Sequence, residues 1–462
     1  MNKHYVYNSN DLINNSCSEL TRKSRQLNLE TLEEALNSIK PEKLIRDSIK
    51  LKKNNNLIIG DTPVNLAKIE NIYIVGGGKA SGNMALEIAS LIGNRLKAGI
   101  VNIPKSTKLS YNHSKICFQE ADHPIPSESG VDGVRKIIKL VKNAEKNDLI
   151  FFLISGGGSA LLPMPRQGIT LDEKRFITDN LLKAGCRIDE LNCIRKHLSG
   201  FKGGQFLKQT NAQVISLIIS DVVNDRLDVI ASGPTSPDIT TFSDSKKILI
   251  KYDIWNTCSP NIKKVIEDGI SGLIPETPKP GDPIFSKVFH KIIGNNRKAC
   301  LAAKKHLKKK GLNVLFLSSL IEGEARYFGE TISSICVELH KSGNPIPKPC
   351  AIIAGGETTV TVKGNGTGGR SQEAALSASK KIEGLDGVSL SFIGTDGIDG
   401  FTDAAGAIVD GNTIPRSIKL GLNHQAELEN NNSYTFFNNL SDLIFTGPTG
   451  TNVSDVAVCV IL

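Results

Sequence analysis

Five stretches of this chain share one pattern: a short apolar run of strand-forming residues empties into a polar loop rich in glycine. Residues 149–154 (Leu-Ile-Phe-Phe-Leu-Ile) lead into Ser155, Gly156, Gly157, Gly158 and Ser159, and residues 214–219 lead into Ser220 and Asp221. Residues 351–354 open into Gly355, Gly356, Glu357 and Thr358, residues 389–393 into a loop holding Asp396 and Asp399, and residues 443–445 into a loop that ends at Asn452. Apolar runs without alternation suit strands covered on both faces, and such strands belong to parallel sheets wrapped by helices. Open parallel sheets bind ligands beyond the carboxyl ends of their strands. Repeated loops of this kind therefore predict an α/β chain with a large crevice for a polar ligand.

An earlier loop is chemically more specific. Residues 72–75 (Ile-Tyr-Ile-Val) precede Gly76, Gly77, Gly78, Lys79, Ala80, Ser81 and Gly82, and helix formers follow from Asn83. Glycine lets the backbone turn sharply and lets an anion approach main-chain N–H groups. A helix beginning behind the loop adds partial positive charge, and Lys79 adds a full one. The stretch predicts a phosphate site. Gly76, Gly78 and Gly82 only loosely imitate a dinucleotide fingerprint, and no Asp or Glu occurs between Ile88 and Gln119 to bind ribose hydroxyls. NAD is disfavoured on that ground, whereas NADP stays open with Lys105 nearby. A Walker A loop is excluded because Ala80 follows Lys79.

At 462 residues the chain is too long for one ordinary core and predicts two or three domains. An apolar share of 39 % with 22 % charged residues is that of a globular protein, and no apolar run approaches the roughly 18 residues of a membrane helix. The first 26 or so residues are polar and lack the apolar core of a secretory signal; Asp11 and Glu19 argue against a transit peptide. The net charge of +9 comes from scattered lysines, and aromatic residues make up only 5 %, so nucleic-acid binding has no support. Nine cysteines without C-x-x-C pairing read as reduced thiols in cytoplasm. Cys186 and Cys193 lack zinc spacing, and the eight histidines do not cluster.

Residues 29–53 predict two helices separated at Pro41, and residues 100–103 a strand. Asp122, His123, Pro124, Ile125 and Pro126 form an extended loop in which His123 reads as a turn residue. Residues 173–204 read as helical, with Arg195, Lys196, His197 and Lys202 on the final turns; cations there either complement the helix terminus or bind a ligand. Four prolines within 275–283 mark a domain boundary. The expected division is a polar extension over 1–28, an N-terminal domain over 29–283 and a C-terminal domain over 284–462.

A second anchor lies at 363–373, Lys-Gly-Asn-Gly-Thr-Gly-Gly-Arg-Ser-Gln-Glu, ahead of an alanine-rich helix. Arg370 sits where that helix begins, offering a planar cation suited to phosphate or carboxylate. Asp396, Asp399 and Asp403 crowd another loop, where they suit magnesium or a proton acceptor, although Asp-Gly pairs are also ordinary turn formers. Through these anchors, together with residues 122–126, 155–162, 195–204, 220–234, 355–358, 394–410 and 447–455, the chain resembles the class II glycerate 2-kinases. That two-domain family carries a C-terminal MOFRL domain and was once also labelled hydroxypyruvate reductase. The resemblance covers all but the first twenty-odd residues. It departs at Asn224, where glycine is usual, at Ser371, where asparagine is usual, and at Phe401, where proline is usual.

The resemblance implies ATP-dependent phosphorylation of D-glycerate at C2 with Mg2+, in the cytoplasm, with no nucleic-acid or membrane partner; a homodimer is left open. It implies an α/β architecture of two domains, each a largely parallel sheet flanked by helices, the N-terminal one Rossmann-like, with the active site in the interdomain cleft. Lys79 and Arg370 are the implied catalytic cations. Asp221 and Asp399 are candidates for proton acceptor, and Asp221 and Asp396 for metal ligands. Gly76, Gly77, Gly78, Ser155, Gly156, Gly157, Gly158, Ser159, Glu357 and Asn452 are candidate substrate- or nucleotide-binding residues. Two rivals differ in class. An NADP-dependent hydroxypyruvate reductase needs a general acid that no histidine clearly supplies, and a non-catalytic sugar-acid sensor would not need two such cations.

Overall fold

A computed structural model describes residues 4–52, 56–105, 107 and 110–462. Residue contacts divide it into two compact units, one holding Pro41–Ser220 and Asp225–Ile293, the other the residues up to Lys40, Asp221–Asn224 and Gly294–Leu462.

The first unit begins with a small antiparallel meander, β1 (Ile49–Leu51), β2 (Asn56–Ile59) and β3 (Thr62–Asn65). Its main sheet contains β4 (Ile72–Gly77), β5 (Leu96–Pro104), β6 (Ile116–Ala121), β7 (Leu149–Ile154), β8 (Gln213–Ile219) and β9 (Val288–Gly294), in the order β6-β5-β4-β7-β8-β9. From β6 to β8 every pairing is parallel. The strand order reverses at β4 and β7, which places the 76–82 and 155–159 loops side by side at their carboxyl ends. All six residues of β4 and of β7 are buried, as the unbroken apolar runs predicted. The helices Leu171–Lys183, Ile188–His197, Phe242–Lys251 and Pro260–Ile270 form a satellite core around Ile177, Leu181, Phe242, Leu249 and Ile266. The helical stretch expected over 173–204 is thus two helices, broken at Gly185, whose positive φ of 70° ends the first.

The second unit has a mixed rather than a largely parallel sheet. Its strands are β10 (Asn313–Glu324), β11 (Cys350–Thr359), β12 (Val388–Gly394), β13 (Gly406–Asp410), β14 (Leu443–Ile444) and β15 (Asp455–Ile461), ordered β10-β11-β15-β12-β13-β14. Only β10 and β11 pair in parallel; β15 returns between β11 and β12, antiparallel to both. An apolar run reports burial on two faces but not the direction of its neighbour, so the expectation failed there. One face carries Val388, Leu390 and Phe392 into a core with Ile332, Leu376 and Phe437. The alternate residues Ser389 and Ser391 face the helix Glu19–Ser38, where the Asn28 side chain donates to the Ser389 carbonyl (3.1 Å) and the Val458 carbonyl (2.9 Å).

Two expected boundaries therefore move. The described residues of the 1–28 stretch are not a separate extension: Arg25 is fully buried, with Nε 2.6 Å from Asp410 Oδ2 and Nη1 2.9 Å from Asp442 Oδ1. Pro41 does separate two helices, Glu19–Ser38 and Pro41–Ser48, but the first starts ten residues early, and Lys53 lies outside the described residues. The proline-rich 275–283 segment stays within the first unit because β9 adds a further strand to its sheet. No helix among the described residues is long and apolar enough to cross a membrane.

Candidate functional site

In the first unit the two glycine loops are bonded to each other. Lys79 N donates to Gly156 O (2.9 Å) and Ala80 N donates to Ser155 Oγ (2.9 Å). Ser155 is 1 % exposed, so its hydroxyl holds the loops together instead of facing a ligand. Close approach of strands explains two of the leading glycines. A Cβ at Gly76 would sit 2.0 Å from Leu153 O, and one at Gly78 would sit 2.2 Å from Ser155 Oγ, both at strongly positive φ. β7 and the first residue after it lie against these positions, a demand for glycine that sequence spacing did not show. Gly77 is likewise filled in by Leu162, and Gly158 by Ala231. Gly158 N also donates to Ser155 O (3.2 Å), so that N–H is spent inside the loop.

Gly157 stands differently. At φ +80°, a Cβ there would lie 2.9 Å from His123 Cδ2 and 3.5 Å from Lys79 Cγ, so the loop brings His123 and Lys79 together over it. Gly157 and Ser159 open onto a cavity of about 600 Å³ whose walls include Lys174, Arg175, Arg195 and Lys202. Arg195 and Lys202 were visible in the sequence as terminal-turn cations; Lys174 was missed, and only its position seven residues ahead of Leu181 on an amphipathic helix hinted at an inward face. Lys202 Nζ donates to Ser159 O (3.0 Å) and Ala231 O (3.1 Å). Lys174 is 8 % exposed, and its Nζ has no hydrogen-bond partner among the described residues. Burial, reinforced by Arg195 and Arg166, pushes Lys174 down to about 7. Burial and the charges of Lys174 and Arg195 push Lys202 well down too. Their neighbours Lys196 and His197 turn elsewhere, Lys196 Nζ toward Asp238 Oδ1 (3.3 Å) and His197 Nε2 toward Glu276 Oε2 (3.1 Å).

In the second unit, Arg370 opens the helix Arg370–Lys381, as predicted. Its Nη1 donates to Glu357 Oε1 (2.9 Å) and its Nε lies 2.8 Å from Asp455 Oδ2. Asp455, which no sequence pattern singled out, begins β15 directly behind the 446–452 loop. Among the described residues its oxygens receive no hydrogen bond apart from the Arg370 ion pair, and burial pushes it up to about 7 against the pull of Arg370. Asp399 is 2 % exposed and accepts from Ser371 N (3.0 Å) and Gln372 N (2.8 Å). It caps the first turn of the Arg370 helix, the ordinary use of a carboxylate at a helix N-terminus. Even so, burial pushes it up to about 6. Gly369 permits this arrangement, since a Cβ there would sit 2.3 Å from Asp399 Cγ.

Asp221 leaves β8 and packs in the second unit, where Asn452 Nδ2 donates to its Oδ2 (3.3 Å) and Ser454 Oγ donates to its carbonyl (2.6 Å). Asp396 Oδ1 accepts from Ile398 N (3.2 Å), a turn-forming contact, and its charge raises Asp399. Asp403 accepts from Tyr434 Oη (2.8 Å). Among the described residues no three His, Cys, Asp or Glu side chains gather as a metal cage. The nine cysteines form no disulfide.

Two family descriptions match the chain: a domain of unknown function, DUF4147, over residues 27–267, and the MOFRL family over residues 350–455. D-glycerate 2-kinase of Thermotoga maritima is 39 % identical over 442 residues, spanning 95 % of this chain and 98 % of the relative. Glycerate 2-kinase of Pyrococcus horikoshii is 38 % identical over 440 residues, spanning 95 % and 97 %. The chain belongs to the glycerate 2-kinase family. The crystal structure of glycerate kinase from Thermotoga maritima superposes with a TM-score of 0.83 at 38 % identity, covering 95 % of this chain and 99 % of that one. Membership explains why the matched segments run through both glycine-loop regions. It also confirms the family resemblance read from the motifs, and the α/β class.

Proposed function

We propose that this chain transfers the terminal phosphoryl group of ATP to the C2 hydroxyl of D-glycerate, giving 2-phosphoglycerate and ADP. The observation that carries the reading is 39 % identity over 95 % of the chain to a D-glycerate 2-kinase. Phosphoryl transfer needs positioning and charge neutralisation more than covalent chemistry, and both units carry groups suited to it. Lys79, on the loop ahead of the helix Ser81–Ile92, neutralises phosphate oxygens. Arg370, held in orientation by Glu357, Asp455 and the Asp399 cap, steers a planar cation toward anionic substrate oxygens. Asp399 is then a positioning residue, because both its oxygens already accept backbone N–H groups. Asp455, raised to about 7 and free of other hydrogen bonds, is the better acceptor for the proton leaving the C2 hydroxyl.

Magnesium fits the oxygen-only donors of Asp221 and Asp396, and with no three-residue cage among the described residues it would be held by one or two carboxylates and completed by substrate oxygens and water. Bound there, it would supply further neutralisation of phosphoryl charge.

Incubating the protein with ATP, Mg2+ and D-glycerate and identifying the product by NMR tests the reading. 2-Phosphoglycerate is expected; 3-phosphoglycerate would overturn the C2 assignment. Absence of transfer, with nicotinamide oxidation on hydroxypyruvate, would replace the kinase by a reductase. Lys79→Met should lower kcat/KM about 10²-fold, roughly 3 kcal/mol of transition-state stabilisation, in the same assay.

A further inference from the structure

The 600 Å³ cavity of the first unit holds more cationic charge than its surroundings balance. Lys174, Arg195 and Lys202 all line it, and among the described residues no carboxylate pairs with any of the three. Of the other ionisable groups on the wall, His123, Arg175 and Asp179, the last two are already engaged: Asp179 pairs with Lys183 (2.7 Å), and Arg175 with Asp172 (2.8 Å) and the Pro126 carbonyl. A buried ammonium without a partner, such as Lys174 Nζ, is costly unless a ligand supplies the anion. The mutual repulsion that pushes Lys174 and Lys202 down is relieved by the same anion.

Size and polarity narrow the ligand. Even at a water molecule's share of ~30 Å³ per heavy atom, glycerate fills only roughly 200 Å³, whereas a cavity of about 600 Å³ is in the range that takes a drug-sized molecule. Apolar side chains line the same cavity: Ile125, Phe176 and Leu182 are 67 %, 51 % and 55 % exposed. Cations and bare apolar side chains in one cavity match a molecule that joins a polyanionic group to a flat heterocycle.

We propose that this cavity is the nucleotide site, with the polyphosphate chain at Lys174, Arg195 and Lys202 beside Gly157 and Ser159, and the base against Ile125, Phe176 and Leu182. The assignment rests on the kinase reading for its biological sense, but its binding test does not depend on turnover.

The test is calorimetric titration of the full chain with ADP, inorganic tripolyphosphate, adenosine and D-glycerate, for the wild type, Lys174→Met and Phe176→Ser. Lys174→Met should weaken ADP and tripolyphosphate at least tenfold and leave D-glycerate unchanged. Phe176→Ser should weaken ADP and adenosine but not tripolyphosphate. Removing an unpaired buried charge should also leave the thermal midpoint of Lys174→Met equal to or above that of the wild type, which separates lost affinity from lost fold. ADP affinity within twofold of wild type in both variants, a selective loss of D-glycerate, or no ADP binding by the wild type would overturn the assignment. If the wild type binds ADP as described yet phosphorylates no glycerate, the kinase reading fails and the nucleotide site stands.

Discussion

Replacing Arg370 with alanine is expected to lower kcat about 10³-fold, or about 4 kcal/mol. The guanidinium satisfies two demands at once. Its Nη1 holds Glu357 and its Nε faces Asp455, so its plane is fixed before any substrate arrives. Fixing that plane spares the reaction the cost of ordering a long side chain, the advantage of a preorganised donor. Removing it also leaves Glu357, Asp399 and Asp455 without their cation; Asp455 loses the influence that lowers it and titrates higher still. An anionic substrate then meets net negative charge where it met a fixed positive group. Arg370→Lys keeps the charge but has one nitrogen for two carboxylates, so it should recover only part of the rate. Steady-state kinetics on the purified variants decides the matter: a loss of less than tenfold in Arg370→Ala would refute the role.

The second large effect is on stability. Arg25→Ala should destabilise the unit built on β10–β15 by about 3–5 kcal/mol, because it strands two carboxylates that are 0 % exposed. Arg25 joins Asp410 to Asp442, and its Nη1 also donates to the Leu12 carbonyl (2.8 Å), while Arg416 braces Asp442 from the other side. One side chain thus pins the helices Ser9–Asn14 and Glu19–Ser38 to β13 and to the turn before β14. Because a two-unit chain need not unfold in one step, amide hydrogen exchange is the fitting measurement. Protection should fall in the peptides carrying Asp410, Asp442 and the Glu19–Ser38 helix, and stay unchanged in β4–β8. Equal loss in both units, or none, would show that the ion network does not anchor the N-terminal helices.

What was legible in the sequence had a local cause. Unbroken apolar runs such as Leu149–Ile154 can only be strands covered on both faces, so β4, β7, β8, β11 and β12 could be placed without coordinates. Arg370 at a helix start and Lys79 in a glycine loop follow from short-range backbone chemistry, and the order of such motifs was long enough to carry the family. What the tertiary structure alone decided was partnership across distance. The Cβ space of Gly76 is taken by Leu153 of β7 and that of Gly78 by Ser155 just beyond it, and Asp399 accepts from a helix start. The polar 4–28 segment folds with residues 294–462 because Arg25 finds Asp410 and Asp442, 385 and 417 positions away, and no periodicity encodes that meeting. Lys174, Arg195 and Lys202 became a single cationic wall only when two helices and the turn after the second converged. The physical reason is common to all of these: propensity and burial act on neighbours in the chain, whereas compensation of charge and exclusion of a Cβ act on neighbours in space.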